Sequence, residues 1–165
     1  PSALPLESAR TMNGSWGFNL QDTNYKSFEE LIDILVKSAG FNSNLLLNIG
    51  PMPNGKIQPE FIERLKQMGE WTDRYGETIY GTRGGIVPPQ EWGVTTQKDE
   101  RHFMHILEAR DNLIFIPGFP ATLESAVYFD SGEPADFKQI EEGVFFYLDE
   151  DQMIEPDTII EFRVE

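Results

Sequence analysis

Apolar and polar positions change their period partway along the chain, and the change divides it. Phe28, Leu31, Ile32, Leu35 and Ala39 recur at helical spacing. Ser27 and Glu30 stand in front of them as a Ser-x-x-Glu capping box, and Gly40 follows where a left-handed C-terminal residue is wanted. Next comes NLLLNIGP, Asn44 to Pro51, an unbroken apolar run closed by Gly50-Pro51. It predicts a short strand buried on both faces, as in a parallel sheet. The turn Pro53-Asn54-Gly55 leads to Pro59 at the first-turn position of a second helix. Phe61, Leu65, Met68, Thr72 and Tyr75 are its predicted inner face, with Gly76 at its end. Read as strand–helix–strand–helix with a parallel strand, this part has a βα architecture. Two such units cannot close a barrel or complete a sheet, so the segment predicts the tail of a larger α/β domain.

Beyond the Gly- and Pro-rich stretch GTRGGIVPP, Gly81 to Pro89, the period shortens toward two. Strand-favouring runs lie at Gly93–Thr96, His102–Leu107, Asn112–Ile116, Ala126–Phe129, Gly143–Leu148 and Thr158–Val164. Turn signals such as Pro117-Gly118 and Ser131-Gly132 separate most of them. Several antiparallel strands at this spacing predict a small β-sandwich.

Charge sharpens the division. The chain of 165 residues carries a formal net charge of −15, which excludes a basic nucleic-acid footprint. Up to Gly84 there are eight Lys and Arg against ten Asp and Glu, and from Gly85 onward five against eighteen. An acidic solubilising surface on the second part is the plain reading. No run of about 18 apolar residues is present, so no membrane span is expected. With no cysteine, disulfides and thiolate metal sites are excluded.

Chemistry-bearing motifs are few. No nucleophile elbow, phosphate loop or His-Glu-x-x-His helix occurs. His102 and His105, three apart on a predicted strand, face opposite sides and do not read as a metal pair, so neither metal nor cofactor is expected. Asn13-Gly14-Ser15 fits a glycosylation sequon, a match too short to use. Two features remain. Glu7 stands near Trp16, and a carboxyl beside apolar and aromatic groups can have its pKa raised to suit a general acid. The plainer alternative is a solvated acid and a core tryptophan. Asn48 closes the predicted buried strand, where the carboxyl ends of βα strands face an active site. It could equally cap its own turn.

The residues in order then resemble a known family. E-x-x-x-T-M-N-x-x-W-G-F from Glu7 to Phe18, L-I-x-x-L-V from Leu31 to Val36, N-L-L-L-N-I-G-P-x-x-N-G-x-I from Asn44 to Ile57 and G-E-x-I-Y-G-T from Gly76 to Thr82 are similar to the bacterial α-L-fucosidases of glycoside hydrolase family 29. The resemblance runs continuously from about Leu6 to Gly84 and matches the C-terminal part of that family. It implies residues 1–84 as the last βα units of a (β/α)8-like barrel and residues 85–165 as a C-terminal antiparallel β-sandwich.

The resemblance also implies hydrolysis of terminal α-L-fucosyl linkages with retention. Glu7 takes the acid/base position and Trp16 the aromatic brought to the sugar pocket. Leu6 and Ala9 stand where many members have Trp and Cys. The nucleophile aspartate and the fucose-binding histidines are expected upstream, on the remainder of the barrel, which is thus an expected partner beside the fucosylated glycan. A periplasmic or secreted parent is likewise implied. Alternatives left open are a carbohydrate-binding or structural sandwich displaying Trp92, Tyr128, Phe145 and Tyr147, and a retaining glycosidase of other sugar specificity.

Overall fold

The computed structural model describes Leu4 and residues 6–165; the first few positions of the expected barrel unit, residues 1–3 and Pro5, lie outside that range. β1 (Leu6–Thr11) leads through a long loop to α1 (Phe28–Gly40), β2 (Ser43–Asn48) and α2 (Pro59–Tyr75). β1 and β2 pair in parallel, with Leu6 opposite Ser43 and Thr11 opposite Asn48. A single 3-10 turn, Gly76–Thr78, ends this part.

The capping box is present. The Glu30 N–H donates to Ser27 Oγ (3.2 Å), and the Ser27 N–H donates to Glu30 Oε2 (2.7 Å). Gly40 has a different use from the one predicted. It is the last helical residue, and the left-handed position falls on Asn42, at φ 61°. Gly40 is small because a Cβ there would collide with Val94, so α1 lies against the neighbouring sheet almost backbone to side chain. The inner face of α2 is also turned from the prediction. Phe61, Met68, Trp71 and Tyr75 are buried, while Leu65 is 40% exposed. Trp71 offers far more apolar area than Thr72, and it takes the buried side of the helix together with Tyr75 one turn on, the two ring centroids 5.5 Å apart.

The remaining chain forms two antiparallel sheets. β3 (Arg83–Gly84), β4 (Gly93–Lys98), β5 (Arg101–Ile106), β7 (Leu123–Tyr128) and β10 (Thr158–Val164) make one, in the order β3-β4-β5-β10-β7. β6 (Leu113–Pro117), β8 (Asp136–Ile140) and β9 (Gly143–Tyr147) make the other, in the order β6-β9-β8. One core fills the space between them, with Met104, Ile116, Val144, Phe146, Ile160 and Phe162 among its residues. A second core joins Leu31, Ile32, Val36, Phe61 and Trp71 of the helices to Val94, Phe103 and Ile159 of the five-stranded sheet.

That sheet is therefore covered on both faces, and most residues of β4, β5 and β10 are buried, polar Thr95, Thr96, His102 and His105 among them. The Gly- and Pro-rich stretch is not a free linker either. β3 zips onto β4, the Gly85 N–H donates to the Thr95 carbonyl (2.8 Å), and Val87 is buried. Among the described residues no helix is long and apolar enough to cross a membrane.

Candidate active site

Period-two alternation gives the β1–β2 pair two unlike faces. Leu6, Ser8 and Arg10, with Ser43, face α1 across a cavity of about 450 Å³. Glu7, Ala9 and Thr11 point the other way, in register with Asn44, Leu46 and Asn48. This second face is open. Leu46 is 44% exposed, so β2 is covered on one face only, contrary to the doubly buried strand its apolar run predicts; no element of the described chain packs over the other.

Glu7 stands on the open face, exposed, and no hydrogen bond or ion pair engages its carboxylate among the described residues. Trp16 lies in the loop after β1 and is 59% exposed. β1 continues four residues beyond Glu7, roughly 13 Å at strand rise, before that loop begins. The structure thus brings Glu7 and Trp16 to one strand and its loop, without a hydrogen bond between them among the described residues.

The loop itself is tightly stitched. Met12 and Asn13 are buried, the Lys26 N–H donates to the Met12 carbonyl (2.8 Å), and Lys26 Nζ donates to the Asn13 carbonyl (3.2 Å). Ser15 Oγ donates to Asp22 Oδ2 (2.7 Å), and the Asn24 N–H donates to Asp22 Oδ1 (3.2 Å). The Ser15 hydroxyl, helped by the backbone N–H groups of Asn24 and Gly14, holds the Asp22 carboxyl below its ordinary range. Asp22 is a residue that sequence reasoning missed, and its carboxylate serves the loop. Glu7 is then the one carboxylate ahead of α1 with no structural task. Asn48 does not cap its own turn. Its Nδ2 donates to the Trp16 carbonyl (2.7 Å), across 32 positions of sequence.

The histidines lie elsewhere and on opposite faces of β5, as their spacing predicts. His102 stacks on Phe162, centroids 5.1 Å apart, in the core between the sheets, and burial pushes its pKa down. His105 faces the helices. Its Nδ1 lies 2.7 Å from Asp157 Oδ2 and its Nε2 3.2 Å from Thr96 Oγ1, which donates its only proton to the Thr78 carbonyl at 2.5 Å. This chain is fully enclosed and reaches no cavity mouth, so it acts as a polar staple between the 3-10 turn and the sheet.

Comparison with known proteins covers this segment by family model and nearly the whole chain by structure. The family model described as alpha-L-fucosidase matches residues 2–77. Plasma α-L-fucosidase of Homo sapiens is 30% identical over 138 residues, which cover 78% of this chain and 30% of that protein. α-L-Fucosidase isoenzyme 1 from Paenibacillus thiaminolyticus superposes with a TM-score of 0.87 at 28% identity, covering 98% of this chain and 40% of that one. The α-fucosidase of Thermotoga maritima in complex with fucose gives 0.86 at 27% identity, covering 98% of this chain and 40% of that one. The chain spans well under half the length of these relatives.

Proposed function

Because the chain belongs to the α-L-fucosidase family, glycoside hydrolase family 29, we propose that it is the C-terminal part of a retaining exo-α-L-fucosidase that removes terminal α-L-fucosyl residues from glycans. Residues 1–84 are the last βα units of its (β/α)8-like barrel, and residues 85–165 its β-sandwich domain. Glu7 is the acid/base and Trp16 lines the sugar pocket. The aspartate nucleophile and the other barrel strands belong to the sequence upstream of this chain.

One observation carries the reading: Glu7 stands without a structural partner on the open face of a parallel strand pair whose other face is covered by helix. Barrel strands need that two-sidedness, one side toward the helices and one toward the interior. The fucose held by the Thermotoga maritima relative supports a fucosyl substrate.

Retaining glycosidases set two carboxyl groups about 5–5.5 Å apart. The nucleophile attacks the anomeric carbon while Glu7 gives its proton to the departing glycosidic oxygen. Glu7, now a carboxylate, next takes a proton from water, which displaces the enzyme from the sugar and restores the configuration.

The test is Glu7→Gln in the full-length protein. Loss of positioned proton transfer lowers turnover of natural fucosides by about 10²–10⁴-fold, with a far smaller loss in the first step for an aryl fucoside whose phenol leaves unaided. Azide, which needs no general base, attacks the fucosyl-enzyme from the face that the phenol left and restores turnover of the activated substrate as α-fucosyl azide, with the configuration retained. Natural-substrate hydrolysis within a few-fold of wild type would reject Glu7 as the acid/base.

A second reading has its own observation. On the outer side of the three-stranded sheet, Phe115 and Phe145 stack at 4.4 Å beside Tyr147, which is 45% exposed. Of the other aromatics considered for sugar binding, Tyr128 is buried and Trp92 packs against the core. The outer platform favours an accessory carbohydrate-binding role. Retention of the chain on an immobilised fucosylated glycan, abolished by Tyr147→Ser, would support it.

A further inference from the structure

We infer that Asn48 is a positioning residue for the sugar pocket and acts through the loop that carries Trp16; this rests on the reading of Trp16 given above. The Asn48 amide reaches from the end of β2 to the loop after β1, and its Nδ2 donates to the Trp16 carbonyl at 2.7 Å. The same residue's backbone carbonyl accepts from the Met12 N–H at 3.1 Å, which continues the parallel ladder beyond Thr11. Two positions on, Gly50 is buried against the loop. A Cβ there would strike the carbonyl carbon of Gly17 and lie 2.6 Å from the Phe18 nitrogen. Donor and bare backbone together form a seat for Trp16, Gly17 and Phe18.

Such a seat matters because the Trp16 ring cannot hold itself. It is 59% exposed, and no other aromatic ring packs on it among the described residues. The direction of an unpacked side chain is set by its backbone, and here that backbone is fixed from β2. A carbonyl oxygen asks for a donor, so the amide of asparagine fits this position and a carboxylate of the same shape does not.

The experiment pairs structure with kinetics. Fluorotryptophan is incorporated at the three tryptophans, the Trp16 resonance is assigned with Trp16→Phe, and Asn48→Asp and Asn48→Ala are compared with wild type. Both variants should shift and broaden the Trp16 resonance and leave those of Trp71 and Trp92 in place. In the full-length protein both should lower kcat/KM on an aryl α-L-fucoside by about tenfold, mainly through KM, within the range that small misplacements cost. In a Trp16→Ala background, Asn48→Ala should add almost nothing.

An unmoved Trp16 resonance, or three resonances moving together, overturns the inference. So does an equal kinetic loss from Asn48→Ala in both backgrounds. If the Trp16 resonance moves while Trp16→Ala leaves kcat/KM intact, the pocket assignment of Trp16 falls, and the role of Asn48 toward the sugar falls with it.

Discussion

At the scale of single residues, the histidines illustrate how burial assigns a role that sequence could only half resolve. His102 is 4% exposed, its Nδ1 has no hydrogen-bond partner among the described residues, and burial lowers its pKa from 6.5. In the window between that lowered value and about 6.5 the unfolded chain binds a proton that the folded chain refuses. Stability must therefore fall as pH drops through about 6.5 toward the folded-state value, and be unaffected by this group above it. Chemical denaturation at about pH 7.5 and about pH 5 should show a smaller loss for His102→Phe, which keeps the stack on Phe162, than for wild type. An equal loss in both proteins would assign the acid sensitivity to other groups. The opposite facing of His102 and His105 follows from strand period alone. The partners of His105 do not, because Thr96 meets it only through the register of the β4–β5 hairpin and Asp157 comes from 52 positions away, just before β10. Glu7 is a similar case: its place in the E-x-x-x-T-M-N motif is visible in the sequence, whereas its open face required the register with β2.

At the scale of elements, local signals were legible and tertiary ones were not. The Ser27–Glu30 box and the proline ahead of Phe61 depend only on neighbours in sequence, so both helices start where their residues say. β1, β3 and β8 carry sequences such as LESART and DFKQI, with little apolar alternation, and exist because a partner strand hydrogen-bonds to them. Gly40 was legible as a glycine position but not for its reason, the closeness of β4. Gly40→Ala should cost about 1–3 kcal/mol by overpacking against Val94. Denaturant midpoints should show much of that loss recovered in Gly40→Ala with Val94→Ala, relative to Val94→Ala alone. Additive losses would mean that the clash is relieved elsewhere.

At the scale of the whole molecule, the division drawn from composition at Gly81 to Pro89 crosses a continuous interior. Arg101 of β5 joins Glu161 of β10 by two bonds (2.9 and 2.8 Å) and reaches Glu77 of the 3-10 turn (2.8 Å), while the Tyr75 hydroxyl donates to Asp130 (2.9 Å). Burial and Asp130 together push the Tyr75 pKa up to about 12. Residues 85–165 prepared alone would bare Val94, Phe103 and Ile159, which the helices cover in the intact chain. That piece should bind a hydrophobic dye and melt at a lower temperature than the 165-residue chain. A clean, dye-free piece melting at the parent temperature would establish the sandwich as independent.

The shared wall also limits how such a protein can be recombined. A sheet with one interior on each side is inherited by two neighbours at once. A chimera that takes its last eighty or so residues from a relative would have to take the inward faces of α1 and α2 with them, because the glycine of one partner is shaped to the valine of the other.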